Sequence, residues 1–215
     1  MHEPFTIPRD ALPATASALA RKQVTILVLG GAAAIGAAAH GKEYTYPARL
    51  AARLQQAFPE VTFNVIVDAT PRQPMADALT GLDSALAKRH PALVIWGLGA
   101  SAAARGDDLD SFISDVNEAI HKVRAAGADL IFMTLQYAPS VARLINLPPY
   151  RMAVINSAEM AGVPVLDRYE LMRFWNSSDF LNLDATGRED RIKVARRLYG
   201  CLAELLAGGV EDAVR

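Results

Sequence analysis

The sequence predicts a three-layer α/β/α sandwich on a five-stranded parallel sheet. Three observations lead there. Short apolar runs alternate along the chain with longer segments of helical periodicity. Some of these runs, such as Ala92-Leu93-Val94-Ile95-Trp96, are apolar at every position, as strands covered on both faces are. The chain has 215 residues, of which 52% are hydrophobic, enough for one large domain with a sizeable core.

The elements follow in order. Residues 24–29 form the first strand. Thr45 opens a helix with Pro47 in its first turn and Tyr46, Leu50, Leu54 and Phe58 at i, i+4 spacing. The second strand covers 61–67 and leads to Asp68, and Met75, Leu79, Leu82 and Leu86 make the stripe of the next helix. The third strand covers 92–96; the helix after it carries Leu109, Phe112, Val116, Ile120 and Val123. The fourth strand is placed at 129–134. A longer segment, 136–149, then precedes a helix through Met152 and Ile155, and the fifth strand is placed at 163–166. The last helix is expected to open at Thr186-Gly187-Arg188-Glu189 as a capping box and to end near Leu206. Residues 1–22 therefore read as an N-terminal extension, 23–208 as the domain and 209–215 as a C-terminal tail. In such a sheet function lies beyond the carboxyl ends of the strands, here on loops 30–41, 68–73, 97–106, 136–148 and 176–184.

Composition removes several functions. Lys plus Arg is 22 and Asp plus Glu 23, a net charge of -1, which gives no footprint for a nucleic-acid partner. The single cysteine, Cys201, has no intrachain disulfide partner and cannot build a multi-cysteine zinc site. The histidines at 2, 40, 90 and 121 show no metal-ligand spacing, so neither metal nor cofactor is expected. Arg21-Lys22-Gln23 precedes an uncharged run over 24–39 that ends in three alanines, the outline of a signal sequence. The competing reading, a buried strand entering a Gly-Ala loop, is preferred because the sheet needs its first strand there. The expected compartment is the cytoplasm, with export the alternative if 24–39 acts as a signal or anchor.

The first loop, Gly30-Gly31-Ala32-Ala33-Ala34-Ile35-Gly36, imitates a dinucleotide-binding turn. The physics does not follow, because the loop runs on through His40-Gly41-Lys42-Glu43 before any helix could present its N-terminus to a phosphate. Asp68 also comes far later than the roughly 20 residues such a site requires. Ala37-Ala38 stand where a P-loop has Lys and Ser or Thr.

Read together, the loops resemble the SGNH (GDSL-type) hydrolases, a family of serine esterases and lipases with a flavodoxin-like fold. Val28-Leu29-Gly30-Gly31-Ala32 stands at the Gly-Asp-Ser block, and Thr45-Tyr46-Pro47-Ala48-Arg49-Leu50 at the start of the first helix. The segment Trp96-Gly97-Leu98-Gly99-Ala100-Ser101 is similar to the Gly-x-Asn-Asp block, and Asp179-Phe180-Leu181-Asn182 to the Asp-x-x-His block. The resemblance spans about residues 20 to 205. It implies a serine nucleophile, a histidine base held by an aspartate, and glycine and asparagine amides for the oxyanion. At the matching positions this chain has Ala32 for the serine, Asn182 for the histidine and Ser101 for the asparagine. The glycine block is matched to Thr70-Pro71-Arg72-Gln73, without a glycine, and only Asp179 is retained.

The resemblance thus implies a degenerate pocket of Gly31, Ala32, Arg72, Ser101, Asp179 and Asn182, with no catalytic residue assigned. Ser101 reads either as a turn residue or as a substitute nucleophile, and Asp179 either as an Asx-type cap or as a retained pocket group. Arg72 reads either as a solvated loop residue or as a cation for a carboxylate or phosphate. His40 is a weak candidate base, and His121 reads as structural. The expected function is a pseudoenzyme that binds a small acylated or glycan-like ligand. The alternative is an active esterase with a relocated site using Ser101, His40 or the 136–148 loop. No oligomeric state is implied.

Overall fold

The structure is a computed structural model and describes residues 5–215. Five strands, β1 (Gln23–Gly30), β2 (Thr62–Ala69), β3 (Leu93–Gly97), β4 (Asp129–Met133) and β5 (Val165–Leu166), form one parallel sheet in the order β2-β1-β3-β4-β5. The run that imitates a signal sequence supplies β1, an interior strand paired along its length with β2 on one side and with β3 on the other. Among the described residues no helix is long and apolar enough to cross a membrane.

Alternation along β1 divides the core in two, because successive side chains of a strand point to opposite faces. Val24, Ile26 and Val28 enter one layer with α2 (Tyr46–Ala57), α8 (Arg168–Ser177) and α9 (Arg188–Val214). Leu27 and Leu29 enter the other with α3 (Met75–Arg89), α5 (Leu109–Ala125) and α7 (Pro148–Ala161). Three helices have side-chain caps at their starts: the Thr45 hydroxyl accepts from the Ala48 N–H at the head of α2, the Asp108 carboxylate from the Ser111 N–H at the head of α5, and the Asp167 carboxylate from the Glu170 N–H at the head of α8.

Three boundaries differ from expectation. β5 pairs only at Val165–Leu166, because β4 offers it partners only at Phe132 and Met133. The Thr186 capping box does not form; Gly187 takes the N-cap position of α9 with no side-chain bond. Most consequentially, 209–215 is no tail. The last helix continues to Val214, and Gly209, Val210 and Ala213 are buried. The pair Gly208-Gly209 reads as a helix end, but a Cβ at Gly209 would lie 2.8 Å from the Phe5 ring, so the glycine admits a crossing segment rather than a stop.

Nor are residues 5–22 an appendage. Ile7 and Leu12 are buried, and helix α1 (Pro13–Ala20) is fastened to β4 by one carboxylate. Asp129 accepts from the Thr15 N–H and the Thr15 hydroxyl, both at 2.7 Å, and from the Ala14 N–H at 3.3 Å. Helices α4 (Ala100–Arg105) and α6 (Pro139–Ala142) are short turns on the loops after β3 and β4.

Candidate functional site

A cleft of about 290 Å³ lies across the carboxyl ends of the strands, bordered by residues of both core layers. It is built by the loop after β1, by residues 68–73 at the end of β2, by the β3–α4 turn, by Met133 at the end of β4 and Gln136 beyond it, and by Arg168 at the start of α8. Glycine is needed where β1 and β3 end side by side. Gly30 has φ +144°, and a Cβ there would lie 3.2 Å from the Gly97 carbonyl oxygen. Gly99, at φ +91°, turns the chain into α4 and sets Ser101 in its first turn.

Of the residues read from sequence, Gly31, Ala32, Arg72 and Ser101 line this cleft. Asp179 and Asn182 do not, which corrects the six-residue pocket. Asn182 and Asp184 border a separate surface depression with Thr186 and Asp190, and the Asn182 side-chain oxygen accepts from the Asp184 N–H in an Asx turn. Asp179 is exposed at φ +58°, in the turn that follows α8. Arg72 has φ +63°, a left-handed conformation that glycine adopts more easily, so its backbone bends as a glycine would while its side chain stays at the rim. Its carbonyl accepts from Arg105, which is itself ion-paired with Asp107.

Among the described residues no histidine lines the cleft. His40 and His121 are exposed, His90 ends α3 in a left-handed turn, and His2 lies outside the described residues. Ser101 is half-buried, with no hydrogen bond from its hydroxyl to any described residue. A serine hydroxyl without an adjacent base stays protonated and weakly nucleophilic.

Two cleft residues escaped the sequence reading in this role. Arg168 is 5% exposed; its Nε donates to the Thr134 carbonyl at 3.0 Å, and no carboxylate pairs with it among the described residues. Burial works against its charge, and the Tyr46 and Tyr199 hydroxyls only partly offset that. Tyr46 is fully buried, with its hydroxyl unpaired among the described residues. Burial pushes that hydroxyl up, against the pull of Arg168, so it is a neutral donor. An unpaired buried polar group costs about 1–3 kcal/mol. Tyr46 read as a member of an apolar helix stripe, which it also is. Arg168 follows the shortest strand, and the available signal was its place at a strand's carboxyl end, behind the helix cap Asp167.

A network holds Arg168 in place. The Asp167 carboxylate caps α8 at Glu170 N–H, accepts from the Thr134 hydroxyl at 2.9 Å, and pairs with Arg151. Burial raises the Asp167 carboxyl, but the bonds from Arg151 and Thr134, the Arg151 charge and the Glu170 N–H together bring it below the usual carboxylate range. The stabilisation from this depressed group is complete above its unfolded value, near 3.9, and is lost as pH falls through the lower folded value. Arg151→Met is therefore expected to move the acid-unfolding limb to higher pH and to destabilise the protein by about 1–2 kcal/mol at pH 7. Urea titrations from pH 3 to 7 check both.

The model of the Non-GDSL lipase-like family matches residues 1–215. No curated protein matches the chain in sequence. Among solved structures it is similar to a catalytic mutant of an acetylxylan esterase from Geobacillus stearothermophilus, at TM-score 0.69 and 16% identity over 87% of this chain and 94% of that one. It is also similar to a lipase/acylhydrolase from Enterococcus faecalis, at TM-score 0.64 and 20% identity over 86% and 93%. A third is the psychrotrophic esterase EstA from Pseudoalteromonas sp., at TM-score 0.61 and 19% identity over 85% and 98%. At these identities the likeness is one of fold, the SGNH-type hydrolase fold. Because the family match runs the length of the chain, the protein belongs to the Non-GDSL lipase-like family.

Proposed function

We propose that this protein uses its cleft to bind a small ligand and does not hydrolyse esters. One observation carries the reading: the cleft presents Ala32 in its first loop and, among the described residues, no histidine along its lining. Acyl transfer by a serine needs a hydroxyl, a base to take its proton and donors for the oxyanion, acting as a unit. Here Ser101, the hydroxyl on the β3–α4 turn, has no hydrogen-bonded base among the described residues. The cleft remains open and largely apolar in its lining, which suits binding. Similarity in fold to esterases, one of them an acetylxylan esterase, supports an acylated or glycan-like ligand.

The test is hydrolysis of p-nitrophenyl acetate and butyrate by the unmodified chain. Rates at the buffer background are expected. Robust turnover, abolished by Ser101→Ala or His40→Ala, would replace this reading with a relocated active site.

A further inference from the structure

Two incompletely satisfied polar groups of the cleft, Tyr46 and Arg168, open α2 and α8. Arg168 uses one of its five donors on the Thr134 carbonyl, while its two terminal nitrogens have no hydrogen-bond partner among the described residues. The groups whose charge or potential charge bears on it are two tyrosine hydroxyls, Tyr46 and Tyr199, and no acid. Tyr199 is already engaged, donating to the Ala37 carbonyl at 2.9 Å. Tyr46 is fully buried with a free hydroxyl, although phenylalanine would fill the same space without an orphaned donor. Arg168 and Tyr46 line the same cleft.

An arginine serving only the fold would spread its fork over carboxylates or carbonyls, as Arg151 does on Asp167. From this unfinished fork and the free hydroxyl beside it, we infer that Arg168 and Tyr46 bind the carboxylate of a small organic acid. This inference deepens the binding reading above and rests on it. The terminal N–H groups of Arg168 supply a bidentate pair and the Tyr46 O–H a third donor. The organic body lies along the apolar part of the cleft, toward Trp96 and Leu98. Charge selects the carboxylate over phosphate. One buried guanidinium with no acid paired to it is neutralised by a monoanion, whereas the dianion that inorganic phosphate becomes at mildly alkaline pH would leave a buried negative charge. Arg105 is occupied by Asp107, and Arg72 is exposed at the rim.

The probes are hexanoate, its uncharged isostere hexanamide, and inorganic phosphate, added to the full chain at a mildly alkaline pH where phosphate is the dianion, and followed by calorimetric titration and thermal unfolding. Hexanoate is expected to bind and raise Tm, with hexanamide and phosphate each at least about 10-fold weaker. Arg168→Met is expected to weaken hexanoate by at least about 10-fold, and Tyr46→Phe by about 5-fold. Tyr46→Phe should leave the Tm of the ligand-free protein unchanged or higher, which a hydroxyl serving the fold would not allow. If Arg168→Met does not fold, Tyr46→Phe and the hexanoate–hexanamide contrast decide. Absence of hexanoate binding at millimolar concentration, equal binding of the isostere, equal binding of phosphate, or indifference to the substitutions would overturn the inference. Ester turnover with hexanoate still bound at Arg168 would reject the non-hydrolytic reading alone. Background turnover without a hexanoate–hexanamide contrast would reject the carboxylate site alone.

Discussion

Asp129→Ala is expected to destabilise the protein by about 3 kcal/mol, a large effect for one polar side chain on this sheet. The carboxylate is 9% exposed and is the acceptor for three donors of α1, two backbone N–H groups and the Thr15 hydroxyl. Bonds to an ionised acceptor are stronger than neutral ones, and Thr15, at 1% exposure, has little water to turn to when the carboxylate is removed. The Thr15 hydroxyl keeps only a 3.5 Å contact with the Ala92 carbonyl. Asp129→Asn retains one carbonyl acceptor and should cost less, about 1–2 kcal/mol. Urea unfolding checks both; equal midpoints for wild type and Asp129→Ala would show that α1 is not held by this carboxylate.

A serine placed at position 32 is expected to bring no catalysis. Ala32→Ser should leave p-nitrophenyl butyrate hydrolysis at background, because the new hydroxyl would have no base. A positioned base contributes about 10²–10⁴ in rate, and each oxyanion donor about 10²–10³. The structure extends this expectation to the double variant. Asn182→His would place an imidazole beside Asp184 and Asp190 at a surface depression, not on the cleft that holds position 32. The pair is therefore expected to match Ala32→Ser alone. A hundredfold rise in initial rate for the double variant would show that position 182 reaches the cleft after all.

The sheet was legible because buried parallel strands declare themselves as unbroken apolar runs, and β3 and β4 are apolar throughout apart from the Asp129 that grips α1. The two ends of the domain were not. Helix α1 shows no clear stripe, and its anchor is a carboxylate more than a hundred residues away, which no local pattern can reveal. The Gly208-Gly209 pair imitates a stop because glycine ends helices, yet here it makes room for Phe5. The same contrast runs through the cleft. Gly31, Ala32, Arg72 and Ser101 sit directly beyond strand ends, where topology alone predicts function. Tyr46 and Arg168 matter through what their polar atoms lack, an absence that only three-dimensional placement can show.

The central claim is that the cleft carries no activated nucleophile, and covalent labelling tests it most directly because it does not depend on guessing the acyl group. The unmodified chain would be incubated with a reactive p-nitrophenyl alkylphosphonate and its intact mass recorded. The account predicts an unchanged mass after prolonged exposure. A stoichiometric phosphonyl adduct on Ser101, lost in Ser101→Ala, would contradict it.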